Sequence, residues 1–232
     1  MISQSVDVLR KENYDILERR LLQLKKSGKS VEIESINILT EALEHYGKDC
    51  NQIRQISQIS KVLGQSLGLN RVYCEKLEQA AKIYDIGNIM ICSEVYAKDE
   101  KLSFEEFEII KKHTIFGQDI LKKMDFPAMD LAAVVSREHH EWWNGGGYPF
   151  QVRSTNIDIA SRIVAVADTV GALFRRRPGR DSWTYDMVLN HLKEQSGVQF
   201  DPEIIEVFFI NKDAIHEILK IDLDCAPTSW YS

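Results

Sequence analysis

The stretch Arg137-Glu-His-His-Glu-Trp-Trp-Asn-Gly-Gly-Gly-Tyr-Pro149 decides how this chain is read. Adjacent imidazoles, His139 and His140, run from a helical pattern into a turn of three glycines that ends in an aromatic residue and a proline. Neutral imidazoles are good ligands for transition metals, and glycines let backbone approach a ligand without interference from a Cβ. Taken alone, the pair fits two packed histidines at a helix end as well as it fits a metal site. The rest of the chain has to supply the remaining ligands.

Working outward, the pattern is helical almost throughout. Apolar residues recur at helical spacing over about 32–46, 50–67, 71–84, 103–123, 128–141, 159–175, 184–195 and 202–219. Asn70 precedes one segment as an N-cap, and Ser103 with Glu106 forms a capping box before another. Pro202 sits in the first turn of the last segment. No segment alternates like a half-buried strand, although Ile89-Met-Ile91 has the composition of a short extended piece. The expected fold class is all-α, a compact helical bundle with its chemistry at helix ends. Residues 5–26 carry a rough helical period through Leu9, Leu17 and Leu24. They read as an amphipathic N-terminal helix that packs on the body or on a second copy.

At 232 residues, 44% apolar and 28% charged, the chain is an ordinary globular one. A net charge of −6 argues against binding nucleic-acid polymers. One basic cluster stands out, Arg175-Arg-Arg-Pro-Gly-Arg180. The cysteines at 50, 74, 92 and 225 form no C-x-x-C pair, which reads as reduced thiols. With no signal peptide pattern and no run of 18 apolar residues, the expected location is the cytoplasm, away from the membrane.

Asp85 ends an apolar, small-residue segment, Ala80-Ala-Lys-Ile-Tyr-Asp85, and a buried carboxylate there needs a partner. A metal, an N-cap or an arginine would each serve. Asp168 lies inside the apolar run Ile163-Val-Ala-Val-Ala-Asp168 and poses the same demand. His113 follows a charged amphipathic segment. Two carboxylates and three histidines on four helices match the way bundles build metal sites.

In these blocks the sequence resembles the HD-GYP domain, the subgroup of HD-type metal phosphohydrolases that hydrolyse the bacterial messenger cyclic di-GMP. The resemblance spans about residues 35–220. It rests on Tyr84-Asp-Ile-Gly-Asn88, Lys111-Lys-His-Thr-x-x-Gly117, the His139–Pro149 stretch and Ala160-x-Arg-Ile-x-Ala-Val-Ala-Asp168. Arg177-Pro-x-Arg180 and Gln199-Phe-Asp-Pro202 add to it. The implied organisation is an N-terminal helical extension (1–34), the HD-GYP domain (35–220) and a C-terminal tail (221–232). The extension is too short for a receiver domain, so regulation is expected through a partner, a ligand or the N-terminal helix.

The chain also departs from that family. Where active members have His-Asp it has Tyr84-Asp85, and where they have lysine it has Asn88. An upstream metal-binding histidine falls at Gln52, and an acidic residue after the late aspartate falls at Gly171. The resemblance therefore implies a first metal site of Gln52, Tyr84, Asp85 and Asp168 with both imidazoles gone. A phenol binds a metal well only after losing a proton with a pKa of about 10. The second site, Asp85, His113, His139 and His140, is complete, with Asp85 as the bridging position of the catalytic centre. One divalent metal per chain (iron, manganese, zinc or nickel) is expected in place of two.

For function, the resemblance implies a degenerate member in cyclic di-GMP signalling, weak or inactive as an enzyme, that binds a nucleotide or a protein. Tyr148, Arg177 and Arg180 are the implied nucleotide contacts, through stacking and arginine forks. The Gly-Tyr-Pro turn implies docking to a diguanylate cyclase or another signalling protein; the N-terminal helix reads equally as a simple arm or as the seam of a homodimer. The alternative is an active phosphodiesterase with an unusual metal set, acting on cyclic di-GMP or another phosphoester.

Overall fold

Start signals visible in the sequence become side-chain caps in the computed structural model of the chain. Asn70 Oδ1 accepts from the Tyr73 amide at 2.9 Å, and Ser103 with Glu106 closes a complete capping box. Asp49, Asp158, Thr184 and Asp201 cap four further helices in the same way. Each such cap contributes about 1 kcal/mol by satisfying an orphan amide at a helix start.

The structure describes residues 15–21, 23, 31–91, 102–124, 126–175 and 182–221. Residues 15–21 are helical. Then come α1 (Val31–His45), α2 (Cys50–Ser66), α3 (Arg71–Ile83) and a 3-10 turn (Ile86–Met90). The chain continues through α4 (Phe104–Lys111), α5 (His113–Lys122), α6 (Pro127–Glu138) and a short 3-10 turn (Ser154–Asn156). It ends with α7 (Ile159–Phe174), α8 (Tyr185–Glu194), α9 (Pro202–Ile210) and α10 (Lys212–Lys220). Among the described residues there is no strand, and one isolated bridge joins Ser196 to Phe200. The all-α expectation is met.

Three details differ from the periodicity. The segment expected over 103–123 is two helices, broken at Lys112, and the last is broken at Asn211. Asn211 donates from its side chain to the Val207 carbonyl, a local bond that competes with helix continuation. The expected extended piece at Ile89-Met-Ile91 is instead largely a 3-10 turn, with only Ile91 extended. Cys50 is disulfide-bonded, which corrects the expectation of reduced thiols, while Cys74 is a buried free thiol. Spacing along a chain carries no information about which distant cysteines meet.

The apolar residues form two clusters. One joins α2, α3 and α7 to α8, α9 and α10 through Ile59, Leu77, Val164, Leu192 and Phe208. The other packs Leu17 of the N-terminal helical stretch with α1, the first 3-10 turn, α5 and α6 through Leu39, Ile86, Leu121 and Met129. The helix α7 is buried over much of its surface, as its largely apolar sequence demands. Among the described residues no helix is long and apolar enough to cross a membrane.

Two glycines bring the site elements together. A Cβ on Gly87 would lie 1.9 Å from the His113 carbonyl, and one on Gly117 would lie 2.1 Å from Ser136 Oγ. The first 3-10 turn therefore rests directly on the backbone of α5, and α5 rests directly on α6. This close approach puts the end of α3, the start of α5 and the end of α6 at one point.

Candidate metal centre

His113 opens α5 and His139 follows the last turn of α6; each is 3% exposed. His113 Nδ1 lies 2.7 Å from the Ile110 carbonyl, and His139 Nδ1 lies 2.9 Å from the Ser136 carbonyl. A carbonyl only accepts, so each Nδ1 carries a proton, and Nε2 is left as the ring atom that can offer a lone pair to a metal. Those two Nε2 atoms face each other at 3.2 Å. Two lone pairs so placed repel until a shared proton or a metal ion lies between them. Nitrogens bound to one tetrahedral zinc at about 2.0–2.1 Å stand roughly 3.3 Å apart, close to what is seen here.

His140, partly exposed, completes the group, and the three ligand atoms lie within 4.8 Å of one another. Burial pushes the His139 imidazolium down to about 4, and burial with His139 and His113 pushes His140 well below its usual range. His139 and His140 are therefore neutral at neutral pH, the form that binds metal. The donor set, its tautomers and its carbonyl supports all fit a divalent transition metal.

Asp85 lies alongside, 8% exposed. Its Oδ1 is 3.4 Å from His113 Nε2 and 3.7 Å from His139 Nε2. Its Oδ2 is 2.6 Å from the ammonium of Lys48. Burial alone would raise the Asp85 pKa, but Lys48 and the histidines hold it well below the carboxylate range. Of the groups that lower it, Lys48 acts most strongly. Nothing in the sequence marked Lys48, which sits in the turn between α1 and α2, 37 positions before its partner.

Asp168, on α7, does not join the histidines directly. Its Oδ1 accepts a 2.6 Å hydrogen bond from the Tyr84 phenol, and Tyr84 is buried edge-on against the His139 ring. Gln52, also buried, accepts from Arg175 Nη1 at 3.0 Å, and Arg175 Nε lies 3.5 Å from Asp49. Gly171 faces Ile56 and Gln52 of α2, where a Cβ on it would lie 3.2 and 3.6 Å from their side chains. Asn88 is buried in the first 3-10 turn, its amide bonded to the Asp85 carbonyl.

The Gly-Tyr-Pro turn forms the rim. A Cβ on Gly147 would lie 2.3 Å from the His140 carbonyl, so the turn folds tightly onto the histidines. Glu141 anchors it by accepting from the amides of Phe150 and Val152 at 2.6 and 3.0 Å. Tyr148 stacks on His140 with centroids 4.7 Å apart, and Lys111 Nζ lies 5.5 Å from the centroid of the Tyr148 ring. Burial, with Asp85 and Asp168, raises the Tyr148 phenol far above its usual range, so it stays protonated. The structure thus gathers Asp85, His113, His139, His140 and Tyr148, and links Asp168 through Tyr84. Arg177 and Arg180 lie outside the described residues.

A family model for the HD domain matches residues 13–204. The chain is 30% identical over 216 residues to a cyclic di-GMP phosphodiesterase of Thermotoga maritima, covering 90% of this chain and 59% of that protein. It is also 30% identical over 203 residues to the cyclic di-GMP phosphodiesterase response regulator RpfG of Xanthomonas campestris, covering 87% and 54%. A 3'3'-cGAMP-specific phosphodiesterase of Vibrio cholerae is 28% identical over 213 residues, covering 85% and 41%. The chain thus spans about half the length of these curated relatives. Among solved structures, the fold is similar to that of a cyclic GMP-AMP-specific phosphodiesterase of Vibrio cholerae, with a TM-score of 0.57 and 21% identity over 79% of this chain and 49% of that one. It is likewise similar to the HDG"Y"P protein Bd1817 of Bdellovibrio bacteriovorus, with a TM-score of 0.58 and 15% identity over 93% and 71%. With its helical fold, its histidine cluster and a family match over most of its length, the chain belongs to the HD-domain family of the HD phosphohydrolase superfamily.

Proposed function

We propose that the chain is a degenerate HD-GYP domain of cyclic di-GMP signalling that holds one divalent transition metal and has little or no phosphodiesterase activity. His113, His139, His140 and Asp85 would hold the metal, which when bound supplies Lewis-acid polarisation of a phosphoryl oxygen. Tyr148 at the rim, with Arg177 and Arg180, would contact the nucleotide. The observation that carries this reading is the state of the two carboxylates, Asp85 and Asp168. Asp85 Oδ2 is taken by Lys48 and Asp168 Oδ1 by Tyr84, each at 2.6 Å. Two-metal chemistry needs those oxygens for a second ion that clamps the opposite side of the phosphoryl group.

The relatives named for cyclic di-GMP and 3'3'-cGAMP support a cyclic dinucleotide as the ligand. Binding without turnover would make this domain a nucleotide sensor or a docking module for a signalling protein. The experiment is an assay of cyclic di-GMP and 3'3'-cGAMP hydrolysis with Mn²⁺ or Fe²⁺, paired with calorimetry on the same protein. Nucleotide binding with no turnover is the expected result. Turnover lost on His139→Ala would overturn it in favour of the second reading, an active phosphodiesterase working from a single metal. That second reading draws on the complete imidazole triad and its facing Nε2 atoms.

A further inference from the structure

Building on the reading of a single metal at the histidines, we propose that Lys48 is the second cation of this centre. Its ammonium holds the Asp85 oxygen turned away from the histidines and keeps a second metal ion out.

The two oxygens of Asp85 have different neighbours. Oδ1 faces the histidine nitrogens at 3.4 and 3.7 Å, while Oδ2 meets Lys48 Nζ at 2.6 Å. A carboxylate that bridges two cations divides its oxygens in this way. Lys48 is no loose surface lysine, because its side chain is 13% exposed and that of Asp85 is 11% exposed. Its backbone is fixed in the turn that ends α1. Gly47 takes φ +88°, its amide bonds to the Glu44 carbonyl, and the Lys48 amide bonds to the Leu43 carbonyl at 3.0 Å. The next residue, Asp49, caps α2 through the Asn51 amide, so the turn is held from both sides.

The surroundings agree with a cation at this place. Lys48 Nζ lies 5.9 Å from the centroid of the Tyr84 ring, whose face favours positive charge. The Tyr84 phenol spends its proton on Asp168, and Arg175 spends one on Gln52 Oε1. Oxygens that a second metal would require therefore already receive protons from the protein. A divalent ion entering here would have to displace an ammonium from a buried carboxylate and then sit beside that ammonium. Like charges at such range in a dry site repel strongly. Lys48 thus acts as a specificity-determining residue for metal count, separate from the missing imidazoles.

The test separates Lys48 from those imidazoles by supplying them. Metal content is measured by plasma mass spectrometry after loading with excess Mn²⁺ and gel filtration, on the full chain. Wild type and Gln52→His/Tyr84→His are expected to hold one ion per chain. Adding Lys48→Met to the double variant is expected to raise this to two, whereas adding Lys48→Arg leaves it at one. Two ions in the double variant with Lys48 in place would overturn the proposal, as would one ion after Lys48→Met in protein with native circular dichroism. Should the Met variant not fold, Lys48→Gln carries the same comparison. If wild type holds no ion, the single-metal reading fails, and the step of one ion on losing Lys48 still decides the role of Lys48.

Discussion

The phenol of Tyr84 donates a 2.6 Å hydrogen bond to Asp168 Oδ1, tying the end of α3 to the middle of α7. Tyr84 is 3% exposed and Asp168 is partly buried, so the bond is shielded from water mainly on the phenol side. Removing only the hydroxyl takes this donor from a partly buried carboxylate oxygen. Tyr84→Phe is expected to lower stability by about 1–3 kcal/mol, the cost of a buried polar group left unsatisfied. Urea unfolding in the presence of a chelator measures this, with an unchanged slope showing that the fold is kept.

Gly117 sets the distance between α5 and α6. Gly117→Ala would put a Cβ within 2.1 Å of Ser136 Oγ, a buried side chain. Overpacking of this kind costs about 1–3 kcal/mol. Because His113 and His139 sit on the two helices being pushed apart, metal affinity is expected to fall as well. Shortening the opposing side chain with Ser136→Ala should recover part of both losses, which calorimetry and thermal melts of the single and double variants will show.

Metal should stabilise the fold through the histidine cluster. An ion that binds only the folded state at a free concentration of 100 times its Kd adds about 2.7 kcal/mol. For a domain of this size that corresponds to a rise in Tm of roughly 5–10 °C. Stripped protein titrated with Zn²⁺ or Mn²⁺ should show the shift by calorimetric scanning, and His139→Ala should not.

Glu44 offers a pH dependence outside the centre. Burial first, and then Glu41 and Asp49, raise its pKa above the ordinary 4.5. The folded chain thus holds a proton on Glu44 over a window above 4.5 in which the unfolded chain has released it. Stability from that proton is present at low pH and is lost as pH rises through the folded value. Glu44→Gln is therefore expected to be more stable than wild type near pH 7 and equal to it below about pH 4. Urea midpoints at several pH values check the sign.

The helices were legible because their signals are local. Asn70 and Ser103 accept from amides within one turn of themselves, Pro202 opens its helix with a fixed φ, and the apolar period of α7 is a property of contiguous residues. The breaks at Lys112 and Asn211 were not legible. Around Lys112 the helical period runs on, and the interruption aims His113 at His139 across a helix pair that only packing creates. The disulfide at Cys50 was hidden for the same reason.

In the site, sequence alone determined the ligand inventory: three histidines and Asp85 present, and Gln52, Tyr84, Asn88 and Gly171 standing where the HD-GYP resemblance implies other residues. Only the tertiary structure decided what the altered residues do. Tyr84 closes on Asp168, Arg175 on Gln52, and Lys48 on Asp85. Residue identity sets which atoms can give or accept a proton or bind a cation. Which of them meet depends on short-range contacts between segments far apart in the chain, and these form only when the helices pack.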